Sequence, residues 1–568
     1  MSNIQKNSID QISFNGGPQV SYDPILGTYN NVNSPDRTSV RSSDVYHMET
    51  GSIRPGKLVQ IFSRGGIGVL YQEAVVGLLH GGIPAIVVPF YMYYLNTESI
   101  VAVAAISLVN IPWSLKIIFG MLTDNIPILG YRRRPMMLIG WIICGTALLV
   151  ASLRTMPQPY YPDPSWRAIK PDDYTDTIKS SLNREAKNQG GVYTILLCIA
   201  SFGYVFVDSV VEAVLIEYAQ CEPHALRGRL QASCTFVRSL FVTVTYVLVA
   251  FGLNSADYGG SFSFGISFSN VLLLLALFVL SAIPMAWIMI HEEIFLAIDF
   301  REYIGNIWDS LKSRVFYQVI AFGFLSSMLL SMDNAASDAI LMYWMKLPPL
   351  SISILSLLAN FTMLAGIFIC GKYGLLWSWR KLVVFTVVIV AVVDVLYAMP
   401  VCFNVIRGIW FLYVRMAIQG VALGMHFMTT LFVVVEVCKE GAEGTCSGLL
   451  ATAFNTGPPL AATFTKIMSS WFSVRNEDIQ NDSSATRRDS AILFLIASAF
   501  KIISLALLPL LPRQKAETQA LKNRGGCKAM GIFTIAYLLV AWVWSITLHF
   551  LNMFESTRCL AIAGGCST

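Results

Sequence analysis

Apolar runs of about 20 residues recur along almost the whole chain after Gly65. A helix needs about 20 such residues to cross the hydrocarbon core of a bilayer. About twelve runs can be counted, with a thirteenth near the C-terminus. Because 55% of the 568 residues are hydrophobic and only 13% are charged, the composition lies outside the usual range of soluble domains. The sequence therefore predicts an all-α protein embedded in the lipid bilayer, with no nucleic-acid partner.

The predicted spans form two sets of six, as expected for a transporter built from two fused bundles. They are Ile67–Tyr93, Ile100–Leu122, Met136–Leu153, Tyr193–Tyr218, Leu230–Leu253, Ser269–Ile290, Val315–Met345, Ser351–Gly371, Lys381–Met399, Trp410–Val437, Thr445–Met468 and Ala491–Leu511. The predicted domains are a disordered cytoplasmic tail (1–60), an N-terminal six-helix bundle (61–290), a central cytoplasmic linker (291–314), a C-terminal six-helix bundle (315–512), and a basic loop with an additional apolar helix and tail (513–568).

Basic residues cluster in every second loop, which indicates that these loops and the N-terminus are cytoplasmic. The residues are Arg132, Arg133, Arg134, Arg227, Arg229, Arg301, Lys312, Arg314, Lys372, Arg380 and Lys381. The alternate loops are then external, and one holds the glycosylation sequon Asn481-Asp482-Ser483. The tail lacks the apolar core of a cleavable signal, and its acids argue against an organelle transit peptide. We expect glycosylation at Asn481 and a location in the plasma membrane.

The thirteenth apolar run, 530–553, follows a loop with five basic residues, which predicts a cytoplasmic start. If it spans the membrane, Cys559 and Cys566 lie in an oxidising space and can pair. An interfacial or re-entrant segment is the alternative. Most other cysteines fall inside apolar runs, and no paired spacing resembles a zinc site. We expect neither a metal nor a cofactor.

The loop between the second and third runs carries the most specific motif. It contains Gly120-x-x-x-Asp124, followed by Gly130 and the triplet Arg132–Arg134, and it resembles the signature loop of the major facilitator superfamily. In its longer form, the stretch is similar to the folate-biopterin transporter family within that superfamily. The residues of that form are Pro112, Trp113, Lys116, Gly120, Asp124, Pro127, Gly130, Tyr131, Arg132, Arg133 and Pro135.

Two further blocks carry the same resemblance, so it covers most of the membrane core. They comprise Asp208, Glu217, Gly228, Leu230, Gln231, Cys234 and Arg238, then Cys438, Gly441, Glu443, Gly444, Thr445 and Asn455. The chain departs from the family at Glu212, where Asp is more common, and at Glu436, where small residues are common. The substrate can differ accordingly.

The resemblance implies the major facilitator fold, in which helices one, four, seven and ten line a central cavity. It also implies alternating-access transport of a small organic anion, folate-like or pterin-like, by a protein without enzymatic activity. We expect proton coupling and a monomer. The alternatives are a carrier of another metabolite, such as a carboxylate or S-adenosylmethionine, and a receptor that does not transport. A membrane enzyme is a third class, but no motif for one is present.

Asp208 and Glu212 are four residues apart, so they share one face of the fourth helix. Arg238, in the fifth helix, lies at about their depth and can pair with one carboxylate. Two acids that share one arginine differ in proton affinity, as a proton-coupled site requires. We expect Asp208 to pair with Arg238 and Glu212 to carry the proton. The alternative is a permanent ion-pair cluster that only holds helices together.

Other candidates for the substrate site follow from helix interruptions and from charge. His80 precedes Gly81, Gly82 and a proline, which predicts a kink near the bilayer midplane. Lys116 adds a cation for an anionic substrate, and Tyr204 adds an aromatic face for stacking. By fold analogy, Asp333 in the seventh run also faces the cavity. The alternative for His80 is a packing glycine pair with the ring hydrogen-bonded across helices.

The signature loop also predicts a gate. Asp124 is expected to approach the N-terminus of the eleventh helix near Gly444, where free amides favour an anion. Glu443 is then expected to meet Arg132 or Arg133. With Gly120, these residues would join the two bundles on the cytoplasmic side and stabilise the outward-open state. The alternative is that the arginines serve only to orient the protein in the membrane.

Overall fold

The computed structural model describes residues 20–23, 28–31, 39–41, 51–169, 173–294, 299–347, 349–553 and 557. Within these ranges, thirteen helices of membrane character follow one another. They are α1 (Arg64–Val88), α2 (Ser99–Asn110, continued by a 3-10 turn at Ile111–Leu115 and by Lys116–Asn125), α3 (Arg134–Leu153), α4 (Gly191–Gln220), α5 (Arg229–Gly252), α6 (Phe268–Met289), α7 (Arg314–Leu330), α8 (Pro349–Tyr373), α9 (Trp379–Cys402), α10 (Ile409–Val437), α11 (Glu443–Ser469), α12 (Ser484–Ile503) and α13 (Lys528–Met553).

Eleven helices in the described part of the chain are long and apolar enough to span a membrane. The other two are exceptions for physical reasons. The helix α7 is apolar but has only 17 residues, since it ends at Leu330. The helix α11 has 27 residues but is rich in Ser, Thr and Gly and contains two prolines, so its mean hydropathy is low. The predicted run Val315–Met345 is therefore broken and not one continuous helix.

The remaining elements are short. They are the strands β1 (Val20–Asp23), β2 (Thr28–Asn31) and β3 (Ser39–Arg41), the α-helices Asp176–Ser181, Phe300–Lys312, Ser337–Ala339, Asn476–Asn481 and Lys515–Lys522, the 3-10 turns Pro164–Ala168, Arg184–Asn188, Ala256–Tyr258 and Ser504–Leu510, and the π-helical turns Pro89–Tyr94 and Ile340–Trp344. The three strands pair antiparallel within the predicted disordered tail, in the order β1-β2-β3. The predicted pair Cys559 and Cys566 lies outside the described residues.

Each half of the chain has its own apolar core. One hydrophobic cluster draws all its buried residues from positions 69 to 290. Two others belong almost entirely to the second half. In the first half, α1 packs on α5, and α3 packs on α4 and α6. In the second half, α8 packs on α10, α7 on α11, and α9 on α10 and α12. The chain therefore forms two six-helix bundles, as the sequence predicts.

Two helix pairs make the most extensive contacts between the bundles, α2 with α11 and α5 with α8. The first pair touches backbone to backbone. A Cβ on Gly120 would lie 2.1 Å from the carbonyl oxygen of Gly444, and one on Gly448 would lie 2.7 Å from that of Lys116. Small residues allow such an approach between membrane helices. We call the end of the molecule where this contact and the loop 126–133 lie the basic face.

The helix α13 lies along the line where the bundles meet. It contacts α2, α7, α11 and the helix Phe300–Lys312. The indole Nε1 of Trp542 donates to the carbonyl oxygen of Ser114 at 2.5 Å, inside the 3-10 turn that follows Asn110 in α2. The ring of Tyr537 contacts Phe324 of α7, with centroids 5.4 Å apart. A helix that packs beside several spans has the placement of a thirteenth span and not of an interfacial segment.

The close approach of α2 and α11 leads to a prediction for Gly120→Ala. The added methyl group has no room beside Gly444, so the helices must separate, at a cost of about 1–3 kcal/mol. We expect the amides at the start of α11 to exchange with deuterium about tenfold faster in the variant. Gly305→Ala is the matched control, because nothing lies within 4 Å of its Cβ position. Equal exchange in both variants would contradict the described packing.

Candidate functional site

Five charged side chains meet inside the N-terminal bundle, and we call them the buried charge cluster: Glu73, Lys116, Asp208, Glu212 and Arg238. Lys116 Nζ lies 2.8 Å from Asp208 Oδ2 and 2.7 Å from Glu212 Oε1. Arg238 Nη1 lies 2.7 Å from Asp208 Oδ1. The same nitrogen lies 3.7 Å from Glu73 Oε2. Four helices thus contribute charges to one point in the membrane.

Local sequence explains how these groups meet. Asp208 and Glu212 are one turn apart on α4 and therefore share a face. Lys116 begins the last segment of α2, directly after the 3-10 turn that contains Pro112, which cannot donate a backbone hydrogen bond. Helix α5 supplies Arg238. No cation is assigned to Glu212 from the sequence, whereas the structure pairs it with Lys116.

An indole ring covers one side of the cluster. Lys116 Nζ lies 5.1 Å from the ring centre of Trp113, and the guanidinium carbon of Arg238 lies 5.6 Å from it. The ring of His80 meets this indole edge-on, with centroids 4.9 Å apart. The indole N–H donates to the hydroxyl of Tyr204 at 3.3 Å. Trp113 stood in the family motif, but sequence reasoning did not assign it to the site.

Part of this arrangement is accessible to solvent. The side chains of Glu212 and Arg238 are 20% and 18% exposed, His80 is exposed and Trp113 is partly exposed. Asp208 is buried. The accessible groups surround the indole, and we call the surface that they share the accessible wall. Such a wall offers cations for an anionic group and a flat ring for stacking.

Asp333 lies away from the cluster, in the other bundle. It follows α7, where the chain leaves the helix, and its Oδ1 accepts from the backbone N–H of Asn334 at 2.8 Å. The side-chain amide of Asn334 donates to the carbonyl oxygen of Ser490 at 3.2 Å. Asp333 thus caps a helix break, and the structure does not bring it together with Asp208 or Glu212.

Asn481 lies at the opposite end of the molecule from the basic face. It is the last residue of the short helix Asn476–Asn481 and is exposed. The neighbouring Asp482 forms ion pairs with Arg407 at 2.7 Å and with Arg487 at 2.8 Å. The sequon is therefore accessible and held in place by its neighbour.

The predicted gate residues meet at the basic face. Asp124 accepts from the backbone N–H groups of Gly444 at 3.1 Å and Thr445 at 2.7 Å. Its Oδ1 also lies 2.9 Å from Arg133 Nη1. These amides are the first in α11, where free N–H groups and the helix dipole favour an anion. Asp124 therefore ties α2 to the C-terminal bundle.

Arg133 extends this contact to further acids. Its Nη2 lies 2.7 Å from Glu217 Oε1 and 3.4 Å from Glu443 Oε2. Arg132 contacts Glu217 at 3.3 Å instead. The sequence predicts that Glu443 contacts Arg132 or Arg133, and in the structure it contacts Arg133. Glu217, at the end of α4, was present in the family motif but was not assigned to the gate.

Sequence reasoning missed several other groups that join the bundles here. Arg227 Nε lies 2.5 Å from Glu436 Oε1, so the acid that departs from the family pattern has a buried partner. Arg54 Nη1 lies 2.9 Å from Glu443 Oε1. Lys515 Nζ donates to the backbone oxygen of Arg227 at 2.7 Å, and burial lowers the pKa of this amine to about 8. No periodicity in the sequence marks such contacts between distant loops.

A second charge cluster lies within the C-terminal bundle. Asp394 of α9 contacts Lys501 Nζ at 2.6 Å and Arg415 Nη2 at 2.8 Å. The side-chain amide of Gln419 donates to the same carboxylate at 2.7 Å. Asp394 therefore faces neighbouring helices, and its contacts tie α9 to α10 and α12.

Comparison with known proteins agrees with this architecture. The model of the BT1 family matches residues 80–158 and 181–526, which is most of the chain. The Folate transporter 1 of Plasmodium falciparum (isolate 3D7) is 31% identical over 90 residues, which is 16% of this chain and 15% of that protein. The chain therefore matches only a small part of the length of this curated relative.

A solved structure shares the fold at low identity. The proton:xylose symporter XylE of the major facilitator superfamily, bound to 6-bromo-6-deoxy-D-glucose, matches with a TM-score of 0.52 and 12% identity, over 80% of this chain and 98% of that chain. The human organic anion transporter MFSD10 has a TM-score of 0.48 and 13% identity, over 78% of this chain and 97% of that chain. From the family match and the two-bundle fold, the chain belongs to the BT1 family, the folate-biopterin transporters of the major facilitator superfamily.

Proposed function

We propose that the protein is a secondary active transporter of a small organic anion with a planar ring, folate-like or pterin-like. It works by alternating access and couples transport to protons. The observation that carries the proposal is the buried charge cluster, whose Arg238 and Trp113 share a solvent-accessible wall. A carboxylate of the substrate would approach Arg238, while the ring would stack on the indole.

The substrate class is supported by the charges that are available. Arg238 is partly exposed, so its guanidinium can pair first with Asp208 and then with a substrate carboxylate. Lys116 is buried between Asp208 and Glu212, so its role is to hold the two acids in place. The relative from Plasmodium falciparum carries the name of a folate transporter, which agrees with this chemistry. Other anions with an aromatic ring fit the same description.

The direction of opening follows if the basic face is cytoplasmic, as the distribution of Lys and Arg indicates. Among the described residues, the ion pairs between the bundles all lie at that face. The cytoplasmic side is then closed, and the wall around Trp113 is open to the outside. In this orientation the N-terminus is cytoplasmic and Asn481 is external. We place the protein in the plasma membrane as a monomer.

Uptake by reconstituted vesicles tests the proposed function. A labelled panel would contain folic acid, a pterin, a dicarboxylate and S-adenosylmethionine, each measured with and without an imposed pH gradient. We expect folic acid or the pterin to enter, and an inward proton gradient to raise accumulation at least about tenfold. Entry of only the dicarboxylate or S-adenosylmethionine would overturn the substrate class. Specific binding without entry would indicate a receptor.

Replacing Lys116 tests whether the cluster is needed for transport. In Lys116→Met, two buried acids one turn apart lose their shared cation, and breaking a buried pair costs about 3–5 kcal/mol. We expect uptake to fall at least about a hundredfold, with a smaller loss of expression. The control is Lys312→Met, whose partner Asp309 is exposed on the linker helix. Wild-type uptake by Lys116→Met would exclude this cluster from the transport cycle.

Replacing Asp124 tests the gate separately. In Asp124→Asn, the amides of Gly444 and Thr445 retain one acceptor, but Arg133 loses one of its charged partners. We expect normal insertion and slower transport, by about tenfold, because the closed state of the basic face loses about 1–2 kcal/mol. Asp309→Asn, on the exposed linker, serves as the control. Normal cycling of Asp124→Asn would remove the gating role of this residue.

A further inference from the structure

One member of the buried charge cluster has no close cation. Glu73 is buried, and its Oε2 has no hydrogen-bond partner among the described residues. The nearest positively charged atom to this oxygen is Arg238 Nη1, at 3.7 Å. This distance exceeds that of a hydrogen bond. A buried carboxylate oxygen without a close partner is costly to keep ionised.

The position of Glu73 is fixed by the packing of α1 on α5. Gly77 lies one turn after Glu73 on the same face of α1, and a Cβ on it would lie 2.3 Å from the backbone oxygen of Arg238. The two helices are therefore in contact, and Glu73 faces the backbone turn that carries Arg238. Helix α6 contributes no charged group at this point: the neighbouring Gln72 donates to the carbonyl oxygen of Ala282 at 3.1 Å.

The titratable and charged groups that face Glu73 come from three helices and from its own. They are Arg238 and Cys234 of α5, Asp208 and Glu212 of α4, Lys116 of α2, and His80 two turns further along α1. Apart from the imidazole and the thiol, three acids thus face two basic residues. Full ionisation would leave the cluster with one negative charge in excess, and one bound proton would neutralise it.

The contacts indicate which acid holds that proton. Asp208 has cations at 2.7 Å and 2.8 Å, and Glu212 has one at 2.7 Å. Glu73 has only the contact at 3.7 Å. Because each close cation favours the ionised form, Glu73, which is buried, gains least from ionisation.

We propose that Glu73, and not Glu212, is the proton-binding carboxyl group of this protein. The inference rests on the proton coupling proposed above and changes the residue that performs it. A proton that enters from the accessible wall converts the Glu73 carboxylate to the neutral acid. Arg238 then pairs with Asp208 alone. When the proton leaves, the Glu73 carboxylate competes with Asp208 for Arg238. Proton loss therefore alters the same guanidinium that would hold the substrate.

Infrared difference spectroscopy tests proton binding without any substrate. The purified full-length protein would be stepped between pH 5 and pH 8, and the C=O stretch of a protonated carboxyl group would be recorded. Glu222, outside the spans, also titrates in this range because burial raises its pKa to about 7. The band of Glu73 is therefore read as the difference between wild type and variant.

We expect Glu73→Gln to lose one titrating carboxyl band that Asp309→Asn, a control on the exposed linker helix, retains. Glu73→Asp keeps the carboxyl group but withdraws it by one methylene, so the band should remain with a shifted midpoint. This variant serves if Glu73→Gln does not fold. If no band changes in either Glu73 variant, or if the band disappears in Glu212→Gln and persists in Glu73→Gln, the assignment is overturned.

Flux of labelled folic acid separates this inference from the proposed function. We expect Glu73→Gln to exchange folic acid across the vesicle membrane but to lose at least about tenfold of the gradient-driven accumulation. Asp309→Asn, on the exposed linker helix, should retain gradient stimulation. If wild type is gradient-driven and Glu73→Gln is equally so, only the role of Glu73 fails. If wild type transports folic acid without any gradient effect, the coupling itself fails, whatever the infrared result.

Discussion

The pairing of charges in the N-terminal bundle is the constraint on which the rest of this structure depends. An ionised side chain in a hydrocarbon environment is costly, so acids and bases must meet. Lys116 satisfies this requirement for both Asp208 and Glu212, and Arg238 satisfies it again for Asp208. These contacts fix the relative positions of α2, α4 and α5. Removing one partner leaves the other charge buried and alone, which makes the arrangement cooperative.

The helix α2 links this cluster to the basic face. Lys116, Gly120 and Asp124 are spaced by four residues and therefore follow one side of the helix. The first contacts the buried acids, the second lies against Gly444, and the third accepts from the first amides of α11. A displacement of Lys116 along the helix axis would therefore move both contacts with the C-terminal bundle. This segment of α2 therefore couples changes in the buried charge cluster to the contacts of Gly120 and Asp124 with α11.

The sequence predicts the two-bundle fold well, because span length and alternating loop charge are local properties. The contact of Asp124 with α11 was also predictable, since a motif in one loop and a helix start in the other define both partners. The position of Asp333 was not predictable from the sequence, because the break after α7 depends on contacts of Asn334 with α12. The partners of Glu73 and Glu436 were not predictable either, since pairing across helices leaves no periodic pattern in the sequence. The sequence placed Lys116 among the substrate groups but gave no sign that it holds two acids.

The placement of α13 has a consequence for the surrounding lipid. The bundles meet along two seams, α2 with α11 and α5 with α8. The helix α13 covers the first seam and bonds to it through Trp542. Beside the second, side chains such as Phe368 remain exposed to the bilayer. In the part of the chain that the structure describes, acyl chains can therefore approach the junction between the bundles at the second seam but not at the first. The two halves of the molecule, though similar in fold, then have different lipid environments at their sides.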